Sequence, residues 1–178
     1  MYQKPEASEY AAYYATYVNL VPSGDIIDQL NEQINVTIAA LKDLTESQAE
    51  FRYGPEKWSI KEVVGHMADT ERIMAYRLLS IARGETVSLP GYDDNQYVRN
   101  AAFNQLSLQD LLENLTIVRQ STISLLSSLD TSAWGRIGNA NGSNVSVRAI
   151  ATIIAGHELH HRNILHERYF MSSDFPSN

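Results

Sequence analysis

The run Ser146–Phe170, SVRAIATIIAGHELHHRNILHERYF, constrains the chain most: 25 residues without a proline that hold four of its five histidines. Its apolar residues recur at helical spacing. With His157 at zero and roughly 100° per residue, Ile150, Ile153, Ile154 and Ile164 all fall within about 60° of it. His157 and His161 lie inside this stripe, His160 sits on its edge and His166 points away. Two imidazoles one turn apart among Ile and Leu need a polar partner once buried. Histidines at i and i+4 converge on one ion, so a divalent metal is the economical candidate.

The rest of the sequence limits how such an ion could be held. There is no cysteine, hence no disulfide, no thiolate nucleophile and no Cys-ligated zinc. Any metal must be bound by His and carboxylate. A formal charge of −7 with no Lys/Arg run argues against a nucleic-acid surface. The first residues, MYQKPEASEYAAYY, lack the pattern of a signal peptide, and no apolar run approaches the ~18 residues of a membrane span. The expectation is a cytoplasmic protein without membrane contact, folded as one domain over 1–178.

Taken in order, residues 6–19 read as a short, Tyr-rich helix broken by Pro22-Ser23-Gly24. Its tyrosines fit packing against neighbouring helices better than a substrate wall. Ile26, Leu30, Ile34, Ile38 and Leu41 place a helix at about 25–43. Ser59-Ile60-Lys61-Glu62 is a capping box, in which hydroxyl and carboxylate satisfy exposed N-terminal amides, and opens a helix running to about Ala82. His66 lies on the flank of that helix's apolar stripe, a position that suits a partly solvated side chain. Glu71 lies on the stripe, as an inward acid or the partner of an Arg. Residues 83–106 show no clear periodicity and read as a long loop of the lid or binding kind, where Asp93, Asp94 and Tyr97 could line a site but fit solvated turn residues better. Ser107 opens a third helix that ends near Leu129, and Gly135–Ser143 is a Gly/Asn-rich turn or tight hairpin before the histidine helix. Four principal helices with apolar faces predict an all-α four-helix bundle with a short extra N-terminal helix.

The histidines alone leave several readings open. His157-Glu158-Leu159-His160-His161 matches H-E-x-x-H, with Glu158 as the general base of a zinc protease, but no third ligand follows at a suitable distance. Glu158-x-x-His161 matches half of a di-iron carboxylate site, yet a second E-x-x-H is missing. His66 with His157 and His161 would make a three-histidine mononuclear site. Buried neutral histidines bonded to each other or to hydroxyls would need no metal at all.

Two runs carry a family resemblance. KWSIKEVVGHMADTERIMAYRL, from Lys57 to Leu78, has a Trp-Ser-x-x-Glu helix start and a Gly-His-x-x-Asp-x-Glu core. VSVRAIATIIAGHELHHRNIL, from Val145 to Leu165, has Gly-His-x-x-x-His. Together they resemble the DinB-like (YfiT-like) superfamily of four-helix bundles across nearly the whole chain. The resemblance implies a divalent metal, zinc or nickel foremost, on His66, His157 and His161. It also implies a metal-dependent hydrolase, or a transferase joining an external low-molecular-weight thiol to a small electrophilic substrate. Asp69 and His160 are then candidates for proton transfer or for supporting the ligands. A homodimer is a compatible assembly. A non-catalytic bundle, with the metal only tying two helices together, is the alternative from another class.

Overall fold

The computed structural model describes residues 3–177. Its frame is four long helices: α2 (Ile26–Leu41), α4 (Ile60–Ala82), α6 (Leu108–Ser127) and α7 (Val147–Ile164). Each starts where the sequence supplies a side-chain cap. Asp25 accepts from the amides of Ile27 and Asp28, and Ser107 and Ser146 do the same for α6 and α7. Ser59 and Glu62 form the expected capping box on α4. Helix α4 is central and packs along both α6 and α7.

The smaller elements differ more from expectation. The N-terminal segment is two single 3-10 turns, Ala7–Glu9 and Ala12–Tyr14, leading into the one-turn helix α1 (Ala15–Val18). Glu9 turns inward there and accepts from Ser146 Oγ and Arg148 Nε at 2.6 and 2.7 Å, pinning the segment to the start of α7. Another one-turn helix, α3 (Glu46–Ala49), precedes α4. The supposed loop 83–106 contains α5 (Asp94–Ala101), whose first turn is capped by Asp93. Only Val98 of that helix is buried, so no apolar period announced it. The Gly/Asn-rich turn is a hairpin, β1 (Ile137–Ala140) against β2 (Ser143–Ser146), with Asn141 and Gly142 at positive φ as a two-residue turn demands. The last helix continues beyond Ile164 as a wider turn over Leu165–Phe170.

The core is divided along its length. One apolar cluster holds Ile26, Leu30, Met74, Leu78, Ile150 and Ile154, and the other holds Leu41, Val63, Met67, Leu111, Leu115 and Leu165. Between them, in chain order on each helix, lie buried polar residues: Thr37 on α2, His66 and Glu71 on α4, Arg119 on α6, and His157, Glu158 and His161 on α7. The middle of the bundle is thus a polar layer. A fold tolerates this only where each group finds a partner.

Candidate metal centre

One half of the polar layer is an ion cluster. Arg119, 1 % exposed, donates from Nε and Nη2 to the two oxygens of Glu71 at 2.9 and 2.8 Å, and from Nη1 to the Leu30 carbonyl at 3.0 Å. Its Nη2 also lies 2.7 Å from Glu158 Oε2, and Thr37 Oγ1 donates to Glu158 Oε1 at 2.5 Å. Burial alone would lower the Arg119 pKa, but the two carboxyl groups outweigh it and raise it further. Glu71 is therefore the partner of an arginine, one of the two roles its place on the stripe allowed. Glu158 points into this cluster, which removes it from the position a protease base would need.

The other half is the histidine group. His66 comes from α4, and His157 and His161 come one turn apart from α7. His157 Nε2 lies 3.1 Å from His66 Nε2 and 3.1 Å from His161 Nε2. All three rings are at least nine-tenths buried. Trp58 covers the other side, with its ring centroid 4.6 Å from that of His66. The flank of α4 is thus enclosed by α7 and by the residue just before its own cap. That is why His66 is buried although its own helix's periodicity suggested partial solvation. Burial pushes His66 down to about 4, and it holds His157 and His161 well below the usual imidazole range, with the neighbouring rings adding to the effect. The rings are neutral at pH 7.

Neutral rings do not satisfy one another well here. The single in-plane lone pair or proton on His157 Nε2 cannot align with two neighbours at once. A divalent cation at the common point would satisfy all three nitrogens together. Two nitrogens 3.1 Å apart, each about 2.05 Å from one ion, subtend about 98° there, an ordinary cis angle. The donor set and its spacing fit such an ion, and the possible ligand atoms lie within 4.8 Å of one another.

A cleft of about 190 Å³ leads to His157. Its walls include Tyr13, Tyr14 and Tyr17 from the N-terminal segment, Thr70, Met74 and Arg77 from α4, and Tyr92 and Asp94 from the segment before and into α5. Tyr14 and Tyr17 pack against the core as expected and, with Tyr13, also form a wall of the cleft, and Asp94 lines the cleft while Asp93 caps. Tyr17 stands edge-on to both His157 and His160, at 5.4 and 5.2 Å between centroids. Thr70 Oγ1 lies 2.8 Å from the Tyr92 hydroxyl and 3.4 Å from His66 Nδ1. His160 is half-buried, with its ring 5.3 Å from that of His161. Asp69 is held at 3.2 Å by Arg72 on a half-exposed face and does not line the cleft.

Thr70, Arg77 and Arg119 were not singled out from the sequence, although a signal existed for each. His66, Thr70 and Arg77 fall within roughly 40° of one another around α4, and Arg119 follows Leu115 by four residues on the apolar stripe of α6.

Comparison with known proteins gives the fold its family. The model of the DinB superfamily matches residues 29–165. The chain belongs to the DinB superfamily. Among solved structures it is similar to YfiT from Bacillus subtilis, a probable metal-dependent hydrolase with an unusual four-helix bundle topology. That likeness has a TM-score of 0.72 and 20% identity over 93% of this chain and 89% of YfiT. It is also similar to the DinB-like protein YjoA from Bacillus subtilis, with a TM-score of 0.58 and 19% identity over 86% of this chain and 96% of that one. At one residue in five, both likenesses are of fold. No curated protein matches the sequence. No helix among the described residues is long and apolar enough to cross a membrane.

Proposed function

We propose that this DinB-superfamily protein is a metal-dependent enzyme in which His66, His157 and His161 hold a divalent ion at the floor of the tyrosine-lined cleft. The convergence of three buried Nε2 atoms at that floor carries the reading. When bound, the ion supplies Lewis-acid activation of water or of a thiol taken from solution, lowering the nucleophile's pKa. Three protein ligands leave coordination positions open, as catalytic rather than structural sites do.

The chain's own residues provide the remainder. Tyr13, Tyr14, Tyr17 and Tyr92 shape a space below the ~300 Å³ at which pockets begin to take drug-sized ligands, so the electrophile is small. Tyr17 shields His157 and His160 from water. Of the two proton-transfer candidates, His160 is favoured, since it stands beside the ligand rings while Asp69 is engaged by Arg72. Burial lowers the pKa of His160, which keeps it neutral and able to accept a proton at pH 7. Hydrolysis and thiol transfer both fit this arrangement, and imidazole ligation suits zinc, nickel, iron and copper alike.

The test is elemental analysis of the purified protein and of His157→Ala, followed by turnover with a panel of thiols and electrophiles. The expected result is one equivalent of metal in the wild type, near none in the variant, and activity lost on chelation while the fold persists. Equal, sub-stoichiometric metal in both proteins would remove the centre. Unfolding on chelation without any turnover would favour the metal as a purely structural brace.

A further inference from the structure

Among the described residues, three Lys or Arg side chains are less than a tenth exposed: Lys61, Arg77 and Arg119. Arg119 lies between the carboxyl groups of Glu71 and Glu158, and Lys61 reaches those of Glu46 and Glu50. Arg77, 3 % exposed, stands apart: among the described residues no carboxylate oxygen lies within ion-pair distance of it. Its Nη2 donates to the Pro90 carbonyl at 2.6 Å, its Nη1 meets the Met74 sulfur at 3.3 Å, its side chain also bonds the Tyr14 hydroxyl, and its guanidinium lies 5.8 Å from the centre of the Tyr92 ring. Burying a cation is costly without an opposite charge, and a guanidinium has five N–H donors to satisfy. This one lines the same cleft as His157. The neighbouring Tyr14 hydroxyl is raised in pKa by burial, with Arg77 pulling the other way, so it too is a donor at neutral pH.

Resting on the metal-centre reading and adding to it, we propose that Arg77 is the anion-binding subsite of the cleft. The small molecule that reacts there carries a carboxylate held by Arg77, with the hydroxyls of Tyr14 and Tyr92 beside it. Its reacting end extends along the α4 wall, past Thr70, to the histidines. Asp94 on the facing wall makes a singly charged carboxylate the better guest than a doubly charged phosphate. The Pro90 contact has a separate structural consequence, because it ties the segment before α5 to α4.

The test uses the cobalt(II)-substituted protein titrated with ω-mercaptocarboxylates of two to six carbons, each against the neutral mercaptoalcohol of equal length. The thiolate-to-cobalt absorption band reports binding. In the wild type one chain length of the acid should bind about 10-fold or more tighter than its alcohol, the range expected of a charge-assisted hydrogen bond. R77Q, which removes the charge but keeps a polar side chain, should erase that preference and leave the alcohols unchanged; R77K should keep part of it. Equal binding of acids and alcohols in the wild type, or parallel weakening of both in R77Q, would overturn the subsite. An R77Q protein that failed to fold, judged by circular dichroism, would pass the decision to the metal-free wild type. There the Arg77 Nε–Hε resonance should shift with the preferred acid and stay fixed with its alcohol; movement with neither refutes the proposal. Failure to bind cobalt would instead strike the metal centre, leaving that resonance to decide the subsite.

Discussion

Arg119→Met puts the polar layer to a quantitative test. The substitution keeps an unbranched apolar stem but removes the two bonds to Glu71, the bond to the Leu30 carbonyl and the ion pair with Glu158. Glu71 and Glu158, 4 % and 2 % exposed, are then left together without a cation. Removing one partner from a buried ion cluster costs about 3–5 kcal/mol, because the remaining charges stay desolvated and unpaired. For a chain of 178 residues, with an unfolding entropy of about 2.1 cal/mol/K per residue, that is a fall in Tm of about 8–13 °C. Urea titration with chelator present reads the cost free of any metal linkage. The companion protein Glu71→Leu, Arg119→Met, Glu158→Leu removes every charge and should recover most of the loss, since apolar replacement of a whole buried cluster is often neutral or better. A cost below about 1 kcal/mol for the single variant, or a triple variant no better than the single, would show that the cluster is not desolvated in the way argued.

Two further outcomes follow from the same geometry. Gly156→Ala would bring a Cβ to 2.2 Å from the Tyr17 carbonyl oxygen, so it should cost about 1–3 kcal/mol in urea titration and loosen the N-terminal wall, seen as faster amide exchange over residues 12–18. In the metal-free protein, His66 has its pKa depressed from an unfolded value of about 6.5 to about 4, so the unfolded chain takes up protons first as pH falls. Stability is full above pH ~6.5 and declines towards pH 4, by about 3 kcal/mol from His66 alone, with His157 and His161 adding in the same direction. Thermal melts of chelated protein across pH 4–8 check this, and a flat profile would contradict the burial of neutral rings.

Where the sequence was legible, periodicity and caps agreed. Asp25, Ser59, Ser107 and Ser146 mark all four long helices to within one or two residues, because hydroxyl or carboxylate caps precede strong apolar stripes. The family motifs likewise pointed to the three histidines that the fold brings together. What escaped were features set by tertiary packing. The exposure of His66 depended on Trp58 and α7, which its own helix could not reveal. Helix α5 is polar on most of its surface, so no stripe marked it. The N-terminal tyrosines pack on the core as their pattern suggested, but nothing local says that a cleft will open beside them. Residues 6–19 read as one short helix, yet Glu9 is claimed by Ser146 and Arg148, and burial, which would raise its pKa, is outweighed by these partners so that it falls to about 2.

The close seating of the Tyr17 backbone on Gly156 separates inheritance of chemistry from inheritance of selectivity. The three histidines stand on two long struts of the scaffold, whereas most of the aromatic lining comes from a ribbon laid against one glycine and latched by Glu9. Substitutions among Tyr13, Tyr14 and Tyr17 can therefore redraw what the cavity admits without disturbing any of the three imidazoles, so a new preference for a guest can evolve with the histidine floor left intact.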